Sequence, residues 1–151
     1  MLPPTHLIND TDIMTTMTMK RQPIIPPGTQ PLYDAYHFAP ATRVGDTIWV
    51  SGQVGLDAAM KPGEGMEAQA RLAFASLKAV LEAAGASLED VVELTTYHTN
   101  LRQEIEAFTK VKDEYLPSRY PSWTAVGVTE LALAELCIEI QAVAVTGSGG
   151  A

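Results

Sequence analysis

The sequence contains a single cysteine, Cys137, among its 151 residues. A disulfide within the chain is therefore impossible, and a zinc site built from several cysteines is excluded. The three histidines, His6, His37 and His98, lie far apart, and none of their spacings is typical of metal ligands. The sequence therefore predicts no metal centre.

The sequence also lacks long apolar runs and an excess of basic residues. No stretch approaches the roughly 20 apolar residues that a membrane-spanning helix needs, and no basic segment followed by an apolar one marks a signal peptide. Ten Lys and Arg stand against 18 Asp and Glu, which gives a net charge of −8. A phosphate backbone repels such a chain. We therefore expect a cytoplasmic protein that binds neither membranes nor nucleic acid.

Length and composition favour one domain with a buried core, since 46% of the residues are hydrophobic and 19% are charged. Residues 1–30 are rich in Thr, Met and Pro and show no periodic pattern. This composition predicts a mostly disordered N-terminal arm that contributes no chemistry. We expect the domain to span residues 31–146 and a flexible tail to cover residues 147–151.

Hydrophobic periodicity predicts a hairpin, two helices and three further strands. The hairpin covers about residues 35–52, and its turn contains Gly45 followed by Asp46. The rest of the chain is predicted to run helix, strand, helix and two strands, with helices at residues 67–84 and 102–116 and strands at residues 91–99, 120–128 and 137–145.

This order predicts an α+β fold in which both helices cover one face of a mixed β-sheet. The other face needs a cover as well, because Trp49, Val126 and Ile140 are poorly suited to open water. Oligomerisation through that face is the natural remedy.

The last strand contains an acid in an apolar run. Alternation directs Ile138, Ile140, Ala142 and Ala144 to one face and Glu139 to the other. A carboxylate in such a strand is costly to bury unless it has a partner or stays near water. Glu139 is therefore the first candidate for a functional residue.

Four motifs follow one another in a recognisable order. They are VGDTIWVSGQ at residues 44–53, EAQAR at 67–71, LKAVLEAAGASLEDVV at 77–92 and CIEIQAVAV at 137–145. Together they resemble the RidA family, also called the YjgF/YER057c/UK114 family. The resemblance covers about residues 38–145 with almost no gaps, and it is specific as a set.

The resemblance implies a chorismate-mutase-like fold that forms a homotrimer, with ligand clefts between neighbouring subunits. The best-known members hydrolyse reactive enamines and imines, such as 2-aminoacrylate, to the 2-oxo acid and ammonia without a metal or organic cofactor. In those members an arginine holds the substrate carboxylate, a glutamate on the last strand positions the attacking water, and backbone N–H groups bind the ligand.

Carried over position by position, Glu139 matches the water-positioning glutamate. Gly52, which follows Ser51, matches the glycine of the strand-end turn, and Ala125 matches the residue whose N–H faces the ligand. We therefore expect Glu139 to be catalytic and to lie across a cleft from Trp123. The implied substrate-binding residues are Phe38, Ser51, Gly52, Lys112, Trp123, Thr124 and Ala125.

Three of these positions depart from the family pattern. The family sequence Pro-Ala-Arg-Ser is PSWT at residues 121–124, so Trp123 replaces the arginine. Phe38 replaces a tyrosine, and Lys112 replaces an asparagine. An indole offers one N–H and an apolar face, and losing a charge-assisted pair costs about 1.5–3 kcal/mol, more than tenfold in affinity. We therefore expect a substrate preference altered from 2-aminoacrylate-type acids.

Several roles remain open at these positions. Lys112 either replaces the missing charge or lays its stem on apolar surface with its ammonium in water, and Arg119 is a second candidate for that charge from a neighbouring subunit. Trp123 is either a stacking wall for a ligand or interface filler. Glu139 is either a general base or a partly solvated carboxylate at a subunit interface. We expect His98 to be structural.

Three functions are compatible with this pattern. The first is an enamine or imine hydrolase with altered preference, and the second is a non-catalytic homotrimer that binds small metabolites. The third is a nucleic-acid-directed role, since some family members carry ribonuclease or translation-inhibitor names. The acidic charge argues against the third. We expect Cys137 to be an inert packing residue, because a lone buried thiol is seldom reactive.

Overall fold

The computed structural model describes residues 9–11 and 19–150. Its fold is built on a six-stranded mixed β-sheet. The strands are β1 (Gln22–Ile24), β2 (Ala41–Val44), β3 (Thr47–Val54), β4 (Val91–His98), β5 (Ser122–Gly127) and β6 (Ile138–Val145). The helices are α1 (Gln30–Tyr36), α2 (Gly65–Ala83) and α3 (Leu101–Tyr115), with a 3-10 turn at Leu88–Asp90. The strand order is β1-β2-β3-β6-β4-β5, and only β4 and β5 pair in parallel.

Strand β6 lies in the middle of this sheet, between β3 and β4. Its residues Ile138, Ile140, Ala142 and Ala144 are each at most 2% exposed, as the alternation predicted. The prediction was wrong in assigning Ile140 to the uncovered face, because this side chain is fully buried on the helix-covered face. Trp49 and Val126, which were predicted for the same uncovered face, are 47% and 37% exposed.

The observed ends of α2 and α3 agree with the ends predicted from the periodicity to within two residues. Helix α2 approaches the sheet closely, because a Cβ added to Gly55 would lie only 2.7 Å from the carbonyl oxygen of Gln69. Phe108 on α3 contacts Phe74 on α2 and His98 on β4, with ring centroids 5.9 and 4.9 Å apart. None of the helices among the described residues is long and apolar enough to cross a membrane.

The N-terminal region differs from the sequence-based expectation. Strand β1 pairs antiparallel with β2 although the arm was predicted to be mostly disordered through residue 30, and α1 adds a third helix. A strand of three residues is too short to show alternation, and Pro23 is tolerated at a sheet edge because no ladder bond needs its N–H. Residues 1–8 and 12–18 of the arm lie outside the described residues.

The predicted flexible tail is instead bonded to the domain through residue 150. The backbone N–H of Gly149 donates to Oδ1 of Asp90 over 2.9 Å, and Nη1 of Arg119 donates to the Gly149 carbonyl over 2.6 Å. The N–H of Ser87 also donates to the Asp90 carboxylate, over 3.1 Å. Burial acts to raise the pKa of Asp90, but the backbone N–H groups of Gly149 and Ser87 hold it below its ordinary value.

We predict that Asp90→Asn lowers the free energy of unfolding by about 1–3 kcal/mol at pH 7, because a charged acceptor of two backbone N–H groups is lost. A depressed folded-state pKa stabilises the fold above the ordinary pKa and loses this effect as the pH falls. The difference from the wild type should therefore shrink below about pH 4. Urea unfolding at several pH values measures it.

Glu89→Gln provides the matched control, because it removes the same charge from an exposed neighbour in the same turn. This variant should unfold like the wild type. A difference between Asp90→Asn and the wild type that is the same at pH 3 and pH 7 would contradict the assignment to the ionised carboxylate.

Candidate functional site

Glu139 lies on the open face of the sheet, directly over the backbone of β3. It pairs with Val54 on β3 and Tyr97 on β4, and a Cβ added to Gly52 would lie only 2.7 Å from the carboxyl carbon of Glu139. Real Cβ atoms do not come that close. Glycine at position 52 is therefore what allows the carboxyl group to rest on β3.

The environment of Glu139 disfavours its charged form. Glu139 is half-buried, and this burial raises the pKa of its carboxyl group above the ordinary value. Among the described residues, no side chain or backbone N–H donates to this carboxylate. The oxygens therefore remain available to accept a proton or to orient a water molecule.

Tyr97 and Gln141 flank Glu139 on the same face. The Tyr97 hydroxyl donates to Oε1 of Gln141 over 2.8 Å, and Tyr97 is the cross-strand neighbour of Glu139. Neither residue was singled out from the sequence. The signal was present, because alternation along β4 and β6 places both side chains on the face of Glu139.

Ser51 and Phe38 lie near the end of β3 that contains Gly52. The Ser51 hydroxyl donates to the Ala39 carbonyl over 2.6 Å, and the Ser51 N–H donates to the Pro40 carbonyl over 2.9 Å. The hydroxyl is therefore used to hold the segment that follows Phe38. Phe38 itself is 44% exposed and lines a surface groove of about 600 Å³ beside α1.

Trp123 lies on the opposite, helix-covered face of the sheet. It pairs with the fully buried Leu94 on β4, and its ring centroid is 5.8 Å from that of Phe108. Its indole N–H donates to Oγ1 of Thr96 over 3.0 Å. The only N–H of this side chain is therefore used within the protein, and a ligand can meet only the ring.

Lys112 projects from α3 onto the same ring. Its Nζ lies 4.9 Å from the Trp123 ring centroid and 5.8 Å from that of Tyr120, within cation–π range. The side chain is only 11% exposed, and Nζ donates to Oδ1 of Asp113 over 3.1 Å. The stem is therefore buried, as one of the two alternatives held, and the ammonium lies beside aromatic rings, because this face of α3 packs against β5.

Arg119 is engaged elsewhere. Its guanidinium donates to the carbonyls of Ser148, Gly149 and Gly150. These acceptors belong to its own chain, and a side chain held by them is not available at Trp123.

Thr124 and Ala125 complete the residues predicted for the site. Thr124 is exposed on the open face, whereas Ala125 pairs with Thr96 and shares the covered face with Trp123. Trp123 and Glu139 are separated by two strand spacings, about 10 Å, and by three residues along the strands, again about 10 Å. Because they also lie on opposite faces, one chain does not bring them together on one small ligand.

The remaining nucleophilic and basic candidates have the surroundings of structural residues. His98 is fully buried, its Nε2 lies 2.7 Å from Oγ1 of Thr96, and burial lowers its pKa. Burial raises the pKa of the Cys137 thiol to about 11, and its Sγ lies 3.2 Å from Oε1 of Gln69. Among the described residues, no three His, Cys, Asp or Glu side chains are grouped as metal ligands.

Known proteins share this architecture and sequence pattern. The family model described as "Endoribonuclease L-PSP" matches residues 29–146. The RutC family protein YjgH of Escherichia coli is 40% identical over 115 residues, which cover 76% of this chain and 88% of that protein. The 2-iminobutanoate/2-iminopropanoate deaminase of Dermatophagoides farinae is 35% identical over 97 residues, which cover 62% of this chain and 74% of that enzyme.

A solved structure extends the likeness to three dimensions. Rv2704 from Mycobacterium tuberculosis, a member of the YjgF/YER057c/UK114 family, superposes with a TM-score of 0.73 at 28% identity and covers 84% of this chain and all of that one. The match of the family model to most of the chain, together with these likenesses, shows that the chain belongs to the RidA (YjgF/YER057c/UK114) family.

Proposed function

We propose that this protein is an enamine or imine hydrolase, a deaminase, that acts on a small reactive metabolite without a cofactor in the cytoplasm. Its preference is proposed to differ from that of a 2-aminoacrylate-type enzyme. The observation that carries the proposal is the carboxyl group of Glu139, which rests on Gly52 without any other partner among the described residues. The name of the relative from Dermatophagoides farinae supports the same reaction type.

The proposed reaction needs one positioned water and one proton acceptor. With a protonated imine, Glu139 accepts a proton from water while the oxygen attacks the imine carbon, which gives a neutral carbinolamine. The protonated carboxyl group then returns this proton to nitrogen. Ammonia leaves as the hydroxyl proton passes to the Glu139 carboxylate and the carbonyl forms, and the released ammonia takes that proton away as ammonium. A base with a raised pKa suits both steps, because it takes and returns protons more evenly near neutral pH than an ordinary carboxylate does.

The proposed active unit is a homotrimer with its clefts between subunits. Glu139 and Gly52 lie on one face of the sheet, and Trp123 and Lys112 lie on the other, so contact of both pairs with one ligand requires two copies. The open face also exposes apolar side chains, including Trp49 at 47% and Val126 at 37%. Burial of such a face in an oligomer is favourable.

A non-catalytic, metabolite-binding homotrimer is the second candidate. Trp123 favours it, because the residue stands where family hydrolases carry an arginine and its N–H is already bonded to Thr96. The name of the matching family model raises RNA as a further substrate. The net charge of −8 argues against a polyanion.

We predict that Glu139→Gln lowers kcat for imine hydrolysis by about 10²–10⁴, the usual contribution of a general base. The assay is release of the carbonyl product from a panel of imines, 2-iminobutanoate among them, generated in situ by an amino acid oxidase or an amine oxidase and corrected for the uncatalysed rate. For the wild type, kcat/KM should rise with pH through the raised pKa of Glu139, at a midpoint above the roughly 4.3 of an ordinary glutamate. Thermal stability should not fall, because the amide removes a desolvated ion.

Glu93→Gln is the matched control, since Glu93 is exposed on the same face and the substitution changes the charge equally. It should keep the wild-type rate. A Glu139→Gln variant with undiminished turnover would exclude Glu139 from the reaction. A wild-type protein that does not exceed the uncatalysed rate with a panel of imines would favour the non-catalytic candidate.

Gly52→Ala tests the close approach of Glu139 to β3. The added methyl group should lower the free energy of unfolding by about 1–3 kcal/mol and reduce turnover by displacing the carboxyl group. In a Glu139→Ala background the same change should cost much less, because the overlapping atoms are gone. Urea unfolding of the four proteins gives this coupling, and an equal cost in both backgrounds would contradict the geometry.

Light scattering coupled to size exclusion tests the assembly. We expect three times the 16.2 kDa of one chain. Trp49→Glu should shift the protein toward monomer, since it places a charge on the open face, whereas Met60→Glu on an exposed loop should not. A monomeric wild type at micromolar concentration would refute the proposed trimer and, with it, a shared cleft.

A further inference from the structure

Strand β3 contains a β-bulge beside Glu139. Val50 pairs with Ala142 on β6, and the next pair joins Gln53 to Ile140, so β3 has one residue more than β6 between these two pairs. An extra residue of this kind reverses the alternation of the side chains that follow it. The bulge therefore decides which residues of β3 face Glu139.

The bulge exchanges the faces of Gly52 and Gln53. Val50 is buried on the helix-covered face, and strict alternation from it would place Gly52 on that face and Gln53 on the open one. Instead Gly52 is exposed, and Gln53 is only 9% exposed. Without the bulge, a glutamine side chain would therefore occupy the open face where the Glu139 carboxyl group now rests on Gly52.

The buried amide of Gln53 ties the bulge to helix α2. Its Nε2 donates to the Ser51 carbonyl over 3.0 Å, and its Oε1 accepts a hydrogen bond from the hydroxyl of Ser76 on α2. The N–H of Ser51 donates to the Pro40 carbonyl over 2.9 Å. A bulge takes backbone groups out of the regular ladder, and buried polar groups need partners. Gln53 gives the Ser51 carbonyl such a partner, and Ser76 gives one to Gln53.

We propose that Gln53, anchored by Ser76, is a positioning residue that holds the β3 bulge and thereby keeps the Glu139 carboxyl group on Gly52. The inference rests on the proposed function, because this carboxyl group is the proposed general base. Gln53 itself touches no reacting atom, since it is buried on the covered face. Misplacement of a base by about 1 Å costs up to about 10²-fold in rate, so a relaxed bulge should lower kcat more than it raises KM.

The pKa of Glu139 tests this positioning independently of turnover. NMR titration of protein labelled at the glutamate carboxyl carbons measures the pKa, and Glu139→Gln assigns the signal. Gln53→Met removes both hydrogen bonds at similar volume, whereas Ser76→Ala removes only the anchor. In both variants the carboxyl group should become better hydrated, so its raised pKa should fall toward the ordinary value. Tyr97, the ionisable neighbour of Glu139 on β4, is the same in all of these proteins.

Turnover of the imine panel gives the second readout. Gln53→Met and Ser76→Ala should lower kcat by about tenfold or more with a smaller change in KM. Ser76→Thr keeps the hydroxyl and should show the wild-type kcat and Glu139 pKa. Asp90→Asn is the control for stability, because it weakens hydrogen bonds in the turn before β4 and should leave both quantities unchanged. Light scattering and urea unfolding of each variant show whether it folds and assembles.

The outcomes separate this inference from the proposed reaction. A Glu139 pKa that matches the wild type in Ser76→Ala, or in a folded Gln53→Met, overturns the positioning role whether or not imines are hydrolysed. An equal fall of the pKa in Asp90→Asn overturns it as well, since the effect is then one of general destabilisation. A fall in the bulge variants alone supports the role of Gln53. If the wild type then hydrolyses no imine, the positioning stands and the proposed reaction fails.

Discussion

The central position of β6 is the constraint on which the rest of the structure depends. A strand paired on both sides, with one face under two helices, must direct alternate residues into the core. That core contains four alternate residues of β6, Ile138, Ile140, Ala142 and Ala144. The side chain of Glu139 must therefore point to the opposite face. A shift of one residue in register would bury the carboxylate under α2. The position of Glu139 is thus fixed by the packing of its neighbours, and Gly52 supplies the space that this position requires.

The same two-residue period divides the site. In the parallel β4–β5 pair, Trp123 lies beside Leu94 and therefore takes the covered face, where α3 presents Phe108 and Lys112 to it. The chain thus offers a carboxylate on one face of its sheet and an ammonium at the edge of the other. Neither half resembles a complete small-molecule site, which would surround its ligand on several sides. An assembly that sets the edge of one sheet against the open face of another would unite them.

Periodic patterns within one segment were predictable from the sequence, and contacts between distant segments were not. The structure confirms the alternation of β6, the hairpin turn at Gly45 and the apolar stripes of the helices. Each of these features depends only on residues close together in the chain. The burial of Lys112 could not be read in this way, because it depends on how α3 packs against β5. The bond between Asp90 and Gly149 joins segments 59 residues apart, and nothing in the Gly-rich tail indicates its acceptor. The role of Thr96 as acceptor for Trp123 was hidden for the same reason.

The two charged groups of the candidate site are each unfavourable where they stand. Burial raises the pKa of Glu139 and so opposes its ionised form, while Lys112 gives up much of its hydration for one exposed carboxylate and two rings. A chain selected for stability alone has no need of either arrangement. In the proposed trimer the two groups approach one cleft, where a bound ligand would contact both of them. The cost that each group imposes on the isolated chain is then recovered only when the cleft is formed and occupied.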